Sequence, residues 1–225
     1  MSLEQPDPTI LPPPSGTPSE KEVVTEQVHF SGVRWATTGI VRILYRSWTR
    51  LAVRLFPEDS KSEAIARQLH IPLPDQLNMS WVSDNLAVGG RVHPQDIPAL
   101  ALTGITHVVD TRSEHCDDRE LMRAKQIELL YLPTPDTYPL TVEQLIEGAG
   151  WASNCMKHGG RVLIHCEHGV GRSVLLTCAV LVYDGMRAHK ALELVQAKRW
   201  QAAPNHRQIT RLREFERALV DARKA

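Results

Sequence analysis

The stretch from residue 161 to residue 182 constrains the fold more than any other part of this 225-residue chain. Arg161–Ile164 is a short apolar run with β-branched residues, which is typical of a buried strand, and Val174–Val182 is an apolar run long enough for a buried helix. Between them, His165–Ser173 contains a cysteine, two glycines and an arginine. The sequence therefore predicts a strand, a loop and a helix that begins at about Arg172. Inward-turned loop amides and the positive end of a helix dipole make such a loop an anion site.

The residue types in this loop indicate phosphoryl chemistry. A cysteine is nucleophilic as its thiolate, and a helix N-terminus and a nearby cation both lower the thiol pKa. Arg172 supplies the cation, and its planar fork matches two phosphate oxygens at once. Gly169 and Gly171 allow positive φ and the close approach of a ligand. Ser173 can donate a hydrogen bond to the sulfur of Cys166 and help the thiolate leave. We therefore expect Cys166 to attack phosphorus and to hold the transferred phosphoryl group.

The order His-Cys-(five residues)-Arg-Ser, which covers residues 165–173, resembles the signature of the cysteine-dependent protein tyrosine phosphatase superfamily. The chain is most similar to the dual-specificity branch of that superfamily, over about residues 78–220. The resemblance implies that His165 orients the loop through its ring and that Glu167 and His168 lie at the substrate rim. It also implies a substrate-binding loop that consists of Glu167, His168, Gly169, Val170, Gly171 and Arg172.

Two other interpretations of this stretch remain open from the sequence. Cys166 can be a buried structural thiol, because free cysteine is commonly buried. His165, Cys166 and His168 can also be metal ligands, although no second Cys/His cluster with zinc spacing accompanies them.

A cysteine phosphatase needs a proton donor for the leaving oxygen, and the same group can later deprotonate the attacking water. The best candidate is Asp136, in the proline-punctuated segment 132–139 that follows a predicted strand. The Pro135-Asp136 pair matches the acid loop of the resembled family. The alternative is that Asp136 only serves a turn. Asp110 is the second candidate for the acid, but it ends a predicted strand, where we expect local hydrogen bonding.

Other polar residues have weaker assignments. Asp117 and Asp118 are expected in a charged loop at the substrate rim. Gln208 and Asn205 follow a Pro-containing turn, where the resemblance implies a polar residue that positions water. The alternative is a helix N-terminus with Asn205 as its cap.

The remaining chain divides by composition into four predicted parts. Residues 1–30 form a proline-rich disordered tail, 31–57 a basic amphipathic helix, 58–77 a linker and 78–222 the catalytic domain. Within 31–57, arginines lie opposite an apolar face with aromatic residues, and acidic residues are absent. This pattern favours binding to an anionic membrane surface. The alternatives are that the apolar face of this helix packs on the catalytic domain or on a protein partner.

Helical and strand patterns alternate through residues 78–222, which predicts an α/β fold with a central mixed sheet flanked by helices, of the dual-specificity phosphatase type. An N-terminal amphipathic helical extension precedes it. The predicted strands lie at Trp81–Ser83, Leu86–Gly90, Glu128–Leu132 and Arg161–Ile164, and Gly104–Asp110 is predicted to be a turn that leads into a buried strand. Besides the helix that follows the cysteine loop, the predicted helices lie at Asp96–Leu102, Arg119–Gln126, Val142–His158, His189–Lys198 and Arg207–Ala222.

The sequence thus predicts a phosphatase that forms a cysteinyl-phosphate and needs no metal or organic cofactor. We expect a dual-specificity protein phosphatase. The alternatives are a membrane-associated phospholipid phosphatase of the same fold and a pseudophosphatase that binds phosphorylated ligands without turnover. Zero formal net charge gives no argument for a nucleic-acid partner. Four scattered cysteines, no signal-peptide pattern and no long apolar run favour the cytoplasm. Peripheral association with a membrane through residues 31–57 is the alternative. The sequence does not indicate an oligomeric state.

Overall fold

The computed structural model describes residues 77–224 and, before them, only the single residues Lys61, Ile65 and Gln68. The predicted tail 1–30, the amphipathic helix 31–57 and almost all of the linker 58–77 lie outside the described residues. These assignments, and the predicted limits of the catalytic domain at 78 and 222, therefore stay predictions.

The described residues alternate between strands and helices, as the hydrophobic pattern predicts. In chain order the elements are β1 (Met79–Trp81), β2 (Leu86–Gly89), a 3₁₀ turn (Pro94–Asp96), α1 (Ile97–Leu102), β3 (His107–Arg112), α2 (Arg119–Ala124), β4 (Glu128–Thr134), α3 (Val142–Lys157), β5 (Val162–His165), α4 (Arg172–Tyr183), α5 (Ala188–Lys198) and α6 (His206–Ala222). Within this part of the chain, no helix is both long and apolar enough to cross a membrane.

The five strands form one mixed sheet in the order β1-β2-β5-β3-β4. β1 pairs antiparallel with β2, and the other neighbours pair in parallel. The carboxyl ends of β2, β5, β3 and β4 therefore meet at one edge of the sheet. Ligand sites of open α/β sheets lie at this edge, so the loops that follow these four strands are the place to look for a site.

Helices cover both faces of the sheet, and the side chains of β5 alternate between the two cores. Val162 and Ile164 pack into the core formed with α3, α4, α5 and α6, whereas Leu163 packs into the core that contains residues of α1 and α2. α4 is apolar on all sides because it is buried on all sides from Val174 to Val180. The predicted α/β class with a central mixed sheet flanked by helices is confirmed.

One predicted strand is displaced in the structure. The first strand is Met79–Trp81, two residues earlier than the predicted Trp81–Ser83. The amides of Val82 and Ser83 both donate to the Leu86 carbonyl, at 2.8 and 3.2 Å, and so belong to the hairpin turn.

Candidate active site

Cys166 lies immediately after β5, at the carboxyl edge of the sheet, and six residues before α4 begins. Only 2% of its surface is exposed. The amide of Gly169 donates to its Sγ over 3.2 Å, and the Oγ of Ser173 lies 3.3 Å from the same sulfur. The thiol thus faces hydrogen-bond donors that turn back toward it from the following loop and the first turn of α4.

These surroundings lower the pKa of the Cys166 thiol. Burial by itself raises that pKa, but the positive charge of Arg172 and the hydrogen bonds from Ser173 and Gly169 outweigh burial. Cys178, by contrast, is buried in α4 among apolar side chains, and burial alone raises the pKa of its thiol. The two buried thiols therefore differ in chemistry, and Cys166 has the properties of a nucleophile rather than of a structural thiol.

The hydroxyl of Ser173 has two acceptors within reach. It donates to the carbonyl oxygen of Gly89, at the end of β2, over 3.1 Å, and it also lies against the sulfur of Cys166. Because a hydroxyl carries one proton, it can donate to the thiolate only when it releases the carbonyl. Ser173 can therefore follow the charge of the sulfur during a reaction.

The loop carbonyls are held from outside, and this fixes the direction of the amides. The structure contains no cis peptide among the described residues, so the C=O and N–H of each loop peptide point in opposite directions. The amides that follow the held carbonyls, at residues 168, 170 and 171, therefore point toward the inside of the loop. The three outside contacts are the Arg91 amide to the Glu167 carbonyl (3.1 Å), the Arg199 Nε to the Gly169 carbonyl (2.7 Å) and the Ala203 amide to the Val170 carbonyl (3.0 Å).

The two loop glycines differ in what they require. Gly169 has φ +65°, and a Cβ there would lie 2.6 Å from the amide nitrogen of Gly90, so this position needs glycine. Gly171 has φ −125°, so the positive φ that its residue type allows is not used there. A Cβ at Gly171 would lie 2.8 Å from the Oε1 of Gln208, so this position has little room for a side chain.

Arg172, the first residue of α4, is 1% exposed. Its two terminal nitrogens bind both carboxylate oxygens of Glu114, at 2.6 and 2.8 Å, and one of them also donates to the Thr134 carbonyl over 2.7 Å. Its buried Nε has no hydrogen-bond partner among the described residues. The guanidinium is therefore fixed on one side and retains a donor for an oxygen of a bound anion.

Asp136 lies beside Arg172 at the opening of the loop. Its Oδ1 is 3.4 Å from a terminal nitrogen of Arg172, and 45% of its side chain is exposed. It lies in the turn after β4, where the Tyr138 amide donates to the Pro135 carbonyl and Thr137 has φ +69°. The structure thus places the predicted acid within reach of the same anion that Arg172 would hold.

The other predicted acid has a different environment. Asp110 is fully buried at the end of β3, and its carboxylate accepts hydrogen bonds from the backbone and side chain of Arg112. This local bonding agrees with the prediction. A buried carboxylate bound in this way is poorly suited to protonate a substrate, so Asp136 is the better candidate.

Gln208 lies at the capped helix N-terminus that the second interpretation of its position predicts. It forms a reciprocal capping box with Asn205 at the start of α6, and its Nε2 donates to the Tyr138 carbonyl over 3.2 Å. It also packs against Gly171. Gln208 thus joins the loop of Asp136 to the loop of Cys166, while its role with water stays a prediction.

Two assignments to the substrate rim are wrong. Glu167 is buried, because its carboxylate binds Arg91 at 2.9 Å and Arg112 at 3.5 Å. Asp117 is 6% exposed, because it binds Arg112 and lies 2.7 Å from the Nε2 of His165. Asp118, which was expected in the same loop as Asp117, caps α2, because its carboxylate accepts hydrogen bonds from the amides of Glu120 and Leu121. The side chains at 117 and 167 therefore point into a buried cluster of charges and do not line the opening. His168 remains partly exposed on the loop.

Within the described residues, this cluster also contains a group of three that could hold a metal ion. Ligating atoms of Asp110, Asp117 and His165 all lie within 4.8 Å of one another. Arg112 binds both carboxylates, so its guanidinium provides the positive charge that a metal ion would provide there.

Sequence reasoning missed Glu114. It lies in the loop after β3, its side chain is 38% exposed, and Arg172 holds the pKa of its carboxyl below the usual value despite partial burial. The arrangement indicates that Glu114 keeps the guanidinium of Arg172 in the orientation that leaves Nε for the substrate. No local pattern identifies this pair, because 58 residues separate its members.

We predict that Glu114→Ala lowers kcat/KM for an aryl phosphate by on the order of 10–100-fold, because a misplaced binding group weakens transition-state contacts. Glu120→Ala, an exposed glutamate on α2, is the matched control and should leave kcat/KM unchanged. Tungstate affinity, measured by calorimetry, should fall in parallel. Tighter tungstate binding in Glu114→Ala would contradict this role and show that Glu114 competes with the anion.

Comparisons with known proteins agree with this geometry. The family model described as dual specificity phosphatase, catalytic domain, matches residues 88–218, which include the loop, Asp136 and Glu114. The chain belongs to the dual specificity phosphatase family. It is therefore a cysteine-dependent phosphatase. The resemblance of residues 165–173 to the signature of the protein tyrosine phosphatase superfamily is confirmed as membership of that superfamily.

The relatives include proteins from plants and animals. Dual specificity protein phosphatase 1B of Arabidopsis thaliana is 26% identical over 155 residues, which are 63% of this chain and 84% of that protein. Dual specificity protein phosphatase 2 of Homo sapiens is 27% identical over 158 residues, which are 66% of this chain and 47% of that protein. The chain thus spans about half the length of the human relative.

Solved structures show the same fold. The crystal structure of Tk-PTP in the active form has a TM-score of 0.59 and 28% identity, and the match covers 62% of this chain and 97% of Tk-PTP. The structure of PTPMT1 in complex with PI(5)P has a TM-score of 0.62 and 22% identity, with 66% and 99% covered. At that identity the second likeness concerns the fold alone.

Proposed function

We propose that this phosphatase hydrolyses phosphomonoesters of protein side chains, on tyrosine and on serine or threonine, through a cysteinyl-phosphate intermediate. The observation that carries the proposal is the lowered pKa of the Cys166 thiol beside a guanidinium that retains a donor. A thiolate at the floor of an anion-binding loop is suited to attack on phosphorus.

In the first step the Cys166 thiolate attacks phosphorus, so an S–P bond forms and the bond to the ester oxygen breaks. Asp136 gives its proton to that leaving oxygen. Arg172 and the inward amides of the loop bind the phosphoryl oxygens, where negative charge is held in the transition state.

In the second step a water molecule attacks the phosphorus of the intermediate. Asp136, now ionised, takes a proton from the water, the S–P bond breaks and inorganic phosphate leaves. Ser173 can donate to the departing thiolate, because its hydroxyl already lies 3.3 Å from the sulfur.

The protein-substrate proposal is supported by the relatives, which are named as dual specificity protein phosphatases. It is also supported by an aromatic side chain at the acid loop. Tyr138 is 52% exposed two residues after Asp136, and the guanidinium of Arg207 lies 5.7 Å from its ring centre. An exposed aromatic residue with a cation beside it suits a peptide that carries aromatic and acidic side chains.

A second candidate substrate is a phospholipid with a phosphomonoester headgroup. The negative charge of Glu167 would disfavour an anionic headgroup if it faced the opening, but Glu167 is bound to Arg91 and Arg112. The charge of Glu167 therefore gives no reason to exclude polyphosphoinositides as substrates. PTPMT1, the structural neighbour noted above, is a protein of this fold seen with PI(5)P. The third alternative, binding without turnover, is disfavoured by the lowered pKa of the Cys166 thiol and by the donors that face its sulfur.

A substrate panel with the full chain separates these candidates. We expect kcat/KM to be highest for phosphotyrosyl and phosphothreonyl peptides and lower for phosphoinositides presented in mixed micelles. Cys166→Ser is the background control for each substrate. A preference for the lipid monoesters would replace the protein-substrate proposal, and binding of every substrate without phosphate release would support the pseudophosphatase.

A further inference from the structure

A cluster of six ionisable side chains, five of them buried, lies beside the nucleophile, and the proposed reaction does not use it. Its centre is Arg112, the last residue of β3, which is fully buried. The guanidinium binds Asp110 at 3.0 and 3.1 Å, and it binds Asp117 and Glu167 through its terminal nitrogens. Burial disfavours the charge of Arg112, but its carboxylate partners more than offset this and raise its pKa. Such a group remains charged at every pH at which the protein folds.

The partners of Arg112 include both chain neighbours of Cys166. Glu167, the residue after the nucleophile, binds Arg112 directly, with 3.5 Å between the Oε2 and the terminal nitrogen. His165, the residue before it, places its Nε2 2.7 Å from the Oδ2 of Asp117, and Asp117 binds Arg112. Two separate sets of contacts therefore join the guanidinium of Arg112 to the two sides of Cys166. We call them the two arms: one is Glu167, and the other is Asp117 with His165.

Basic and acidic groups face one another throughout the cluster. Burial by itself lowers the pKa of His165, but the carboxylates of Asp117 and Asp110 outweigh burial and raise it. Three basic groups, on Arg91, Arg112 and His165, face three carboxylates, on Asp110, Asp117 and Glu167. Several ion pairs that share one guanidinium make the cluster rigid, because breaking one pair leaves an uncompensated buried charge.

We propose that Arg112 is a positioning residue for the nucleophile, and that it fixes the sulfur of Cys166 by holding His165 through Asp117 and Glu167 directly. The backbone supports the same placement. The carbonyl of His165 accepts from the Oγ1 of Thr111 over 2.8 Å, and the amide of Cys166 donates to the Gly89 carbonyl over 3.4 Å. These bonds hold the chain at the strand end, while the two arms from Arg112 fix how the loop leaves the strand.

The test uses substitutions that keep shape and remove charge. Glu167→Gln cuts one arm, Asp117→Asn cuts the other, and the double variant cuts both. Asp118→Asn is the matched control, because it makes the same change one residue away, at a helix cap where asparagine serves as well as aspartate. All variants are full-length, and kcat is referred to active sites titrated with a thiol-specific reagent, so loss of folded protein does not count as loss of activity.

We expect each single variant to lower kcat for an aryl phosphate by about 10-fold, because small displacements of a reacting atom are costly. Tungstate affinity should change little, since Arg172 and the loop amides remain. Because both arms end on Arg112, the double variant should lose less than the product of the two single losses.

Three results would overturn the proposal. The first is a kcat per active site close to that of the unmodified enzyme in both single variants. The second is an equal loss in Asp118→Asn, which would point to a general effect of charge. The third is full additivity of the two losses, which would show that the arms act independently and that Arg112 is not their common support.

Discussion

Cys166→Ser is expected to abolish turnover while the protein keeps its affinity for tungstate. Serine is a far weaker nucleophile at neutral pH, because the anion-binding loop cannot bring an alcohol to its ionised form as it does a thiol. We expect kcat to fall by about 10⁴-fold or more, the scale seen when a covalent nucleophile is removed. Arg172 and the inward amides remain, so calorimetry should still detect the oxyanion.

Cys155→Ser is the matched control for this variant. Cys155 lies on α3, where burial raises the pKa of its thiol to about 11, so the thiol is protonated at neutral pH. This control should retain full activity. Substantial activity of Cys166→Ser in a chelator-treated sample would exclude a covalent mechanism through Cys166. A different nucleophile would then attack the substrate that is bound in the anion-binding loop.

Asp136→Ala is expected to slow the hydrolysis of alkyl phosphates by about 10²–10⁴-fold, the usual contribution of a general acid. An activated aryl phosphate should be affected much less, because its leaving oxygen needs little protonation. The measurement is a series of substrates that differ in the pKa of the leaving group.

Asp84→Ala, on the exposed hairpin turn between β1 and β2, is the control for Asp136→Ala and should leave the leaving-group dependence unchanged. Equal small losses for alkyl and aryl phosphates in Asp136→Ala would move the acid role to another group. Glu114 is then the next carboxylate to test, since it binds the same guanidinium and Asp110 is buried away from the opening.

The parts of the site that the sequence predicts are those whose spacing is local. Cys166 and Arg172 are six residues apart, at the end of a strand and the start of a helix, so their meeting follows from the loop alone. Asp136 could be assigned because a Pro-Asp pair in a loop after a strand is itself a short pattern. The fold class follows from the alternation of apolar runs, which reports burial on one or both faces.

The charged partners could not be predicted in the same way, because their contacts depend on how three strand ends meet. Glu167 was expected at the rim, since sequence position in a loop does not show which way a side chain turns. Arg112 and Asp110 did leave a signal. An aspartate and an arginine in one strand must be paired if the strand is buried, and this pattern indicates a buried ion pair without naming its other partners.

The assembly of the site from the ends of parallel strands has a consequence for the chain during synthesis. The Gly89 carbonyl accepts from Ser173, the Thr134 carbonyl accepts from Arg172, and both lie at strand ends far from Cys166 in sequence. β5, which leads into Cys166, has to insert between β2 and β3 before these contacts exist. Until then Cys166 is an ordinary thiol, largely protonated and slow to oxidise. The reactivity of the Cys166 thiolate therefore arises only when the sheet is complete. A chain in which β5 has not yet inserted between β2 and β3 lacks this reactivity.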